Sequence, residues 1–261
     1  MLPIYVISAV ESIDRRARIQ ADFKKLSIEP KLFDAIMGNQ LSKEQREALV
    51  EKGSMLSAGE IGCALSHLAI FQEFLESDNI SSIIVMEDDA YIQAEHMENL
   101  YEIAEFVGKS QKSLVVLLYP TNHPCSAVKK FGTVGVYETL DGSCSHGYII
   151  NREAAKNILW AQRPVGFEMD AWAYYKKLGL IRLYCTDREV ISLHQDMREE
   201  SIIDSMETRK RDKASVKLIG QKKDEFFRKR YKTFPLRVKL QLQWQRFLRH
   251  VQEYTWTKKD F

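Results

Sequence analysis

An α/β fold with a mostly parallel sheet flanked by helices is what this sequence predicts, and three observations carry the prediction. Short β-branched or apolar runs alternate with helical patterns along residues 2–193, the order that wraps helices over a parallel sheet. The run at residues 81–86 contains four consecutive apolar residues, as a strand buried on both faces requires, and stops abruptly at Glu87-Asp88-Asp89. A chain of 261 residues, 45% of them hydrophobic, is long enough for one sizeable core or for a large and a small lobe.

Taken in order, residues 2–7 read as a first strand, and an amphipathic helix over 13–26 places Ile13, Ala17, Phe23 and Leu26 on one side. A short strand at 31–35 and a polar helix over 41–52, stopped by Gly53, follow. Residues 57–67 are rich in small side chains, which permit close approach, and run into a helix ending near Glu76. The 81–86 strand then leads to a helix over 94–107, a strand over 114–119, and a Gly/Pro-punctuated region in which 134–139 reads as a hairpin strand. Residues 145–150 form another short apolar strand. A helix over 152–160, ended with the help of Pro164, precedes a second helix over 169–178 closed by Gly179. Strands at 181–185 and 190–193 complete the core. No internal repeat interrupts this order.

Composition narrows the function. No apolar run approaches the roughly 20 residues of a membrane-spanning helix. The N-terminus lacks a basic leader and reads as a strand, so the expected location is the cytoplasm. Cys63, Cys125, Cys144 and Cys185 follow no zinc or disulfide spacing and are expected to be reduced thiols, each a small buried apolar residue. The net charge of +2 hides an asymmetry: from Glu207 onward about 17 basic residues face about 6 acidic ones, so the rest of the chain is acidic. We therefore divide the chain into a main α/β domain, residues 1–206, and a basic helical region, residues 207–261.

Three consecutive carboxylates at the end of a buried strand repel one another unless a cation sits among them. A hard divalent ion, Mg²⁺ or Mn²⁺, suits carboxylate oxygens and is often completed by substrate phosphates, which implies a nucleotide substrate. A solvated turn after a strand is the plain alternative. Ligands bind at the carboxyl ends of strands in open α/β sheets.

Several segments together resemble glycosyltransferase family 25, the group of bacterial lipooligosaccharide-synthesis enzymes and collagen galactosyltransferases. They are Ile4-Tyr5-Val6-Ile7 with Asp14-Arg15-Arg16, Gly59-Glu60-Ile61-Gly62-Cys63 with Ser66-His67, Met86-Glu87-Asp88-Asp89, and Gly147-Tyr148-Ile149-Ile150. Their order and spacing match over about residues 1–205. The resemblance implies a GT-A-like, Rossmann-like fold, a metal-dependent UDP-sugar donor, most commonly UDP-galactose, and inversion at the anomeric carbon. It sets Glu87-Asp88-Asp89 where GT-A enzymes carry the DxD motif, with Asp89 as metal ligand and Glu87 and Asp88 facing the ribose and the donor sugar. Arg15 and Arg16 would contact the nucleotide or its phosphates, unless they are solvated helix arginines. Ser8, in a Ser8-Ala9 pair where the family usually has Asn-Leu, would meet the base and ribose. Glu60, Ser66 and His67 would lie beside the donor, with a capped, partly buried helix residue as the alternative for His67.

An inverting transfer needs one general base for the acceptor hydroxyl. Asp170 falls where the family has an acid ahead of a helix, though the usual Pro-Val-Asp is interrupted; Glu168 is the reserve, and a helix N-cap is the structural alternative for Asp170. His194 is placed like the late histidine that completes the metal shell in many GT-A enzymes, and an ordinary surface histidine is equally open. His146 is a candidate for lining the acceptor cleft.

The expected partners are a UDP-sugar, a lipid-linked oligosaccharide acceptor and the anionic inner face of the cytoplasmic membrane. The membrane would be met through Arg209-Lys210-Arg211, Lys222-Lys223 and Arg228-Lys229-Arg230, interleaved with Phe226, Phe227, Tyr231 and Trp244. Nucleic acid is not expected, since no recognised binding module accompanies the charge. The rival readings are a metal-dependent phosphoesterase, which wants further histidine or aspartate ligands, and a non-catalytic binding protein.

Overall fold

The computed structural model describes residues 2–194 and 213–234, and beyond them residues 236, 239, 240, 243, 244 and 247. Its strands are β1 (Ile4–Ser8), β2 (Lys31–Asp34), β3 (Ser82–Glu87), β4 (Ala90–Ile92), β5 (Leu114–Leu117), β6 (Pro124–Phe131), β7 (Val134–Thr139), β8 (Gly147–Asn151), β9 (Arg182–Thr186) and β10 (Ile191–Leu193). Its α-helices are α1 (Ile13–Lys25), α2 (Lys43–Leu49), α3 (Ala58–Glu76), α4 (Met97–Lys109), α5 (Arg152–Ala161), α6 (Trp172–Lys177) and α7 (Lys213–Thr233).

Eight strands form one sheet in the order β2-β1-β3-β8-β5-β9-β7-β6. Only β8 and β7 run against the others, so the sheet is mixed but mostly parallel and Rossmann-like. The central strands read as continuous apolar runs because both faces are covered. Tyr5, Ile83, Val85, Tyr148, Ile150, Val115 and Leu117 face a core closed by α3, α5 and α6, with Phe71, Phe74, Ile158 and Trp172. The alternate residues, Val6, Ile84, Met86, Ile149 and Val116, face a second core built with α1 and α4, through Ile19, Phe23, Leu100 and Ile103.

Where the structure departs from the sequence expectation, it does so at short or exposed elements. The strand expected at 190–193 exists as β10, but it pairs antiparallel with β4 in a separate two-stranded sheet rather than joining the main one. The chain turns out of the sheet at Asp89, and β4 needs a partner there. The hairpin strand β7 has its partner in β6, whose side chains are mostly exposed and include Lys129 and Lys130, the usual dress of an edge strand. The helix expected over 41–52 is confined to α2, opened by a Ser42–Gln45 capping box. The helix expected over 169–178 begins only at Trp172, because Ala171, not Asp170, stands at its N-cap.

The boundary at residues 206 and 207 falls outside the described residues, as do Arg209–Arg211. Helix α7 returns to the catalytic body. Phe234, just past it, is buried in the core beside α5, 5.7 Å centroid to centroid from Trp160, and Lys229 Nζ lies 3.8 Å from Glu51. No helix among the described residues is long and apolar enough to cross a membrane. All four cysteines are free thiols, but only Cys185 is fully buried and Cys144 is exposed.

Candidate active site

From β1 the chain crosses by α1 to β2 on one side, and later by α3 to β3 on the other, so the sheet order reverses between them. That reversal opens a crevice at the strand carboxyl ends. The crevice holds a cavity of about 120 Å³, and the ends of β1 and β3 and the first turns of α3 supply most of its wall. Helix α3 comes this close because two glycines face each other. A Cβ on Gly38 would lie 1.8 Å from Ala58 O, and one on Gly62 would lie 2.3 Å from Ile36 O. Ser66 Oγ fastens the same contact, accepting from Ile36 N–H at 2.8 Å and donating to Gly62 O at 2.8 Å.

The three acids after β3 meet different surroundings. Asp88 is buried and saturated: Ser8 Oγ donates to Oδ2 at 2.7 Å and Arg15 Nη1 to Oδ1 at 2.8 Å. Asp89 has a buried Oδ1 with no hydrogen-bond partner. Burial, reinforced by the charges of Glu87 and Asp88 and only partly opposed by Arg15, pushes its carboxyl up to about 7. For Glu87, burial also acts upward, but His67, Ser145 and His146 outweigh it and hold the carboxyl below its ordinary value.

The antiparallel insertion of β8 beside β3 explains that last set of partners. Met86 is in register with Gly147, so the residues just before β8 lie against the carboxyl end of β3. Glu87 N–H donates to His146 O, and Ser145 Oγ donates to Glu87 Oε1 at 2.5 Å. From α3, fully buried His67 stacks on Tyr148, meets its hydroxyl through Nδ1 at 2.7 Å, and directs Nε2 to within 3.6 Å of Glu87 Oε1. His146 stacks on Tyr119 with ring centroids 4.0 Å apart.

Asp170 reaches the same region from the other side. Its Oδ2 accepts the N–H of Cys144 at 3.0 Å, so the side chain is not an N-cap. Although Cys144 as a residue is exposed, partial desolvation of its thiol raises it, and the nearby charges of Asp170, Glu87 and Asp89 add to that. Burial likewise raises the Cys63 thiol, with Glu87 and Asp170 adding to it. The acid before α6 therefore shares a field with the acids after β3.

Of the other residues singled out in the sequence, Ser8, Arg15, Ser66 and His67 line the cleft. Arg16 does not: its guanidinium braces the strand ends, donating to Ser8 O, Ala9 O and Asp34 Oδ1. Glu60 Oε2 accepts the N–H of Ser57 in the capping box that opens α3, so its carboxylate is used by the helix end. His194 N–H donates to Asp89 O, while its ring packs on Tyr91 and sets Nε2 3.2 Å from Asp22 Oδ2. Sequence reasoning missed Cys63, Ser145 and Tyr119. Among the described residues, Cys63, His67 and Glu87 form the one group of three whose metal-ligating atoms all lie within 4.8 Å of one another. The i,i+4 spacing of Cys63 and His67 was the available signal.

Comparison with known proteins agrees with this geometry. The description glycosyltransferase family 25 (LPS biosynthesis protein) matches residues 1–173. Procollagen galactosyltransferase 2 of Homo sapiens is 24% identical over 176 residues, 62% of this chain and 28% of that protein. Lipooligosaccharide biosynthesis protein lic2B of Haemophilus influenzae is 27% identical over 168 residues, 59% of this chain and 61% of that protein. Inactive glycosyltransferase 25 family member 3 of Mus musculus is 24% identical over 171 residues, 61% of this chain and 29% of that protein. The matched segment thus spans less than a third of the two mammalian relatives.

Proposed function

The chain belongs to glycosyltransferase family 25, and on that premise we propose that it is a metal-dependent, inverting glycosyltransferase. It moves a hexose, galactose foremost, from a UDP-sugar to a hydroxyl of a lipooligosaccharide-type acceptor. The observation that carries this reading is Asp89: a carboxylate at a strand carboxyl end, inside a cleft, with a buried oxygen that nothing in the described chain satisfies. A divalent cation fits that oxygen, with Asp89 as its proposed protein ligand; His194, whose backbone N–H meets the Asp89 carbonyl, would join it by turning its ring from the 3.2 Å contact with Asp22. When bound, the ion supplies positive charge for the departing diphosphate.

The remaining work falls to side chains. Asp88, held by Ser8 and Arg15, offers a rigid acceptor beside the end of β1 for the ribose, and Arg15 supplies positive charge for the nucleotide phosphates. Glu87, kept ionised by its neighbours, accepts from a donor-sugar hydroxyl. Asp170 takes the acceptor proton as the acceptor oxygen bonds to the anomeric carbon and the bond to UDP breaks. An acceptor carried on lipid suits a chain with a basic C-terminal region. The apolar Leu236, Leu240, Trp244 and Phe247 are each more than half exposed there, and we assign this surface to the anionic cytoplasmic face of the membrane.

The test is UDP release from a panel of UDP-sugars, with Mn²⁺ or with EDTA, and with or without truncated lipooligosaccharide. Metal-dependent release from one donor, increased by acceptor, is expected. A second reading, a binding protein that has kept the fold, draws on the relative named inactive at similar identity. Metal-dependent UDP binding without turnover of any donor would select it.

A further inference from the structure

We propose that Cys63, His67 and Glu87 form a second metal site, for a thiophilic dication such as Zn²⁺, distinct from the carboxylate site at Asp89. Thiolate, imidazole and carboxylate together are a borderline-soft donor set that Mg²⁺ and Mn²⁺ do not favour. Zinc lies about 2.0–2.3 Å from such ligands, which sets tetrahedral ligand atoms roughly 3.5 Å apart. His67 Nε2 and Glu87 Oε1 already stand 3.6 Å apart, and all three ligand atoms fall within 4.8 Å. Cys63 and His67 share one face of α3 and line the cleft, so the fourth position opens to a water or an incoming phosphate oxygen.

Two further observations mark this as a built site. His67 is wholly buried, and its Nε2 has no partner within hydrogen-bond distance, its nearest polar neighbour being Glu87 Oε1 at 3.6 Å, although a buried polar atom ordinarily has one. Its other nitrogen is held by the Tyr148 hydroxyl at 2.7 Å, and Glu87 is held by Ser145 Oγ. These are the outer-shell contacts that orient metal ligands, and with the Nδ1 proton on Tyr148 the lone pair of Nε2 points at Glu87. Binding converts the Cys63 thiol to a thiolate and releases its proton to solvent.

The experiment is titration of the full-length protein with Cd²⁺, followed by the ultraviolet sulfur-to-cadmium charge-transfer band, and with Zn²⁺ by calorimetry. One equivalent should produce the band. Cys63→Ser should abolish it and weaken Zn²⁺ binding at least about tenfold, while Cys144→Ser leaves both unchanged. A band absent from the unmodified protein, or undiminished in Cys63→Ser, overturns the proposal. Should Cys63→Ser fail to fold, alkylation of the unmodified chain decides: Zn²⁺ must slow modification of Cys63 but not of Cys125, and equal protection of both overturns it. None of these readouts depends on glycosyl transfer.

Discussion

Asp89 is a destabilising residue held in place by the fold. Its carboxyl titrates near 7 in the folded, metal-free chain against about 3.9 when unfolded. Between those values the folded state binds the extra proton, so stability is greatest at low pH and falls as pH rises from about 4 to about 7. The cause is burial first, then the charges of Glu87 and Asp88, with Arg15 opposing them. Asp89→Asn should therefore flatten the pH dependence of the melting temperature and raise metal-free stability at pH 8 by up to about 4 kcal/mol. The same variant should lose Mn²⁺-stimulated UDP binding, and unchanged binding would reject the metal assignment. Asp170→Asn should lower kcat by about 10²–10⁴-fold with little change in UDP affinity, measured in steady-state transfer assays. At this scale the acids were legible in the sequence because a carboxylate cluster after an apolar run is conspicuous. The partners that decide the state of Glu87, Ser145 and His146 from before β8 and His67 from α3, were not legible as partners, because they arrive from different parts of the chain.

Among the elements, α3 does most to shape the cleft, and it can do so only because Gly38 and Gly62 let backbones touch. Gly62→Ala puts a methyl group against Ile36 O at 2.3 Å, where neither backbone can yield cheaply. We expect a loss of about 1–3 kcal/mol in denaturant unfolding, with weaker UDP binding as α3 is pushed from the 36–38 segment that lines the cleft with it. The small-residue run of α3 was visible as a pattern that permits close approach, whereas its counterpart Gly38 was not. Strand β8 was recognised by its apolar run, but an apolar run carries no direction. Its antiparallel placement between β3 and β5 is what delivers Ser145 and His146 to Glu87. Edge strand β6 and three-residue β4 escaped for a plainer reason: the one is too exposed and the other too short to show a strand pattern.

Across the whole molecule, the basic region and the catalytic body are joined through Phe234. Phe234→Ala should cost roughly 3 kcal/mol, seen as a lower midpoint in urea, because the ring fills a core site beside Trp160 and Tyr231. The apolar residues farther on do not contribute to that core. Replacing Trp244 and Phe247 with Ser should leave the midpoint unchanged and reduce co-sedimentation with anionic vesicles; undiminished sedimentation would reject the membrane assignment. Local sequence determined the α/β class, most of the strands and helices, the strand-end acids and the charge asymmetry, since periodicity, burial pattern and composition are written within a few residues of one another. Tertiary structure alone decided that Asp88 is neutralised while Asp89 keeps an unsatisfied oxygen, that Arg16 and Glu60 brace the framework, and that Cys63 and His67 meet Glu87. Those outcomes depend on strand order and direction, which are set by how two cores pack on opposite faces of one sheet.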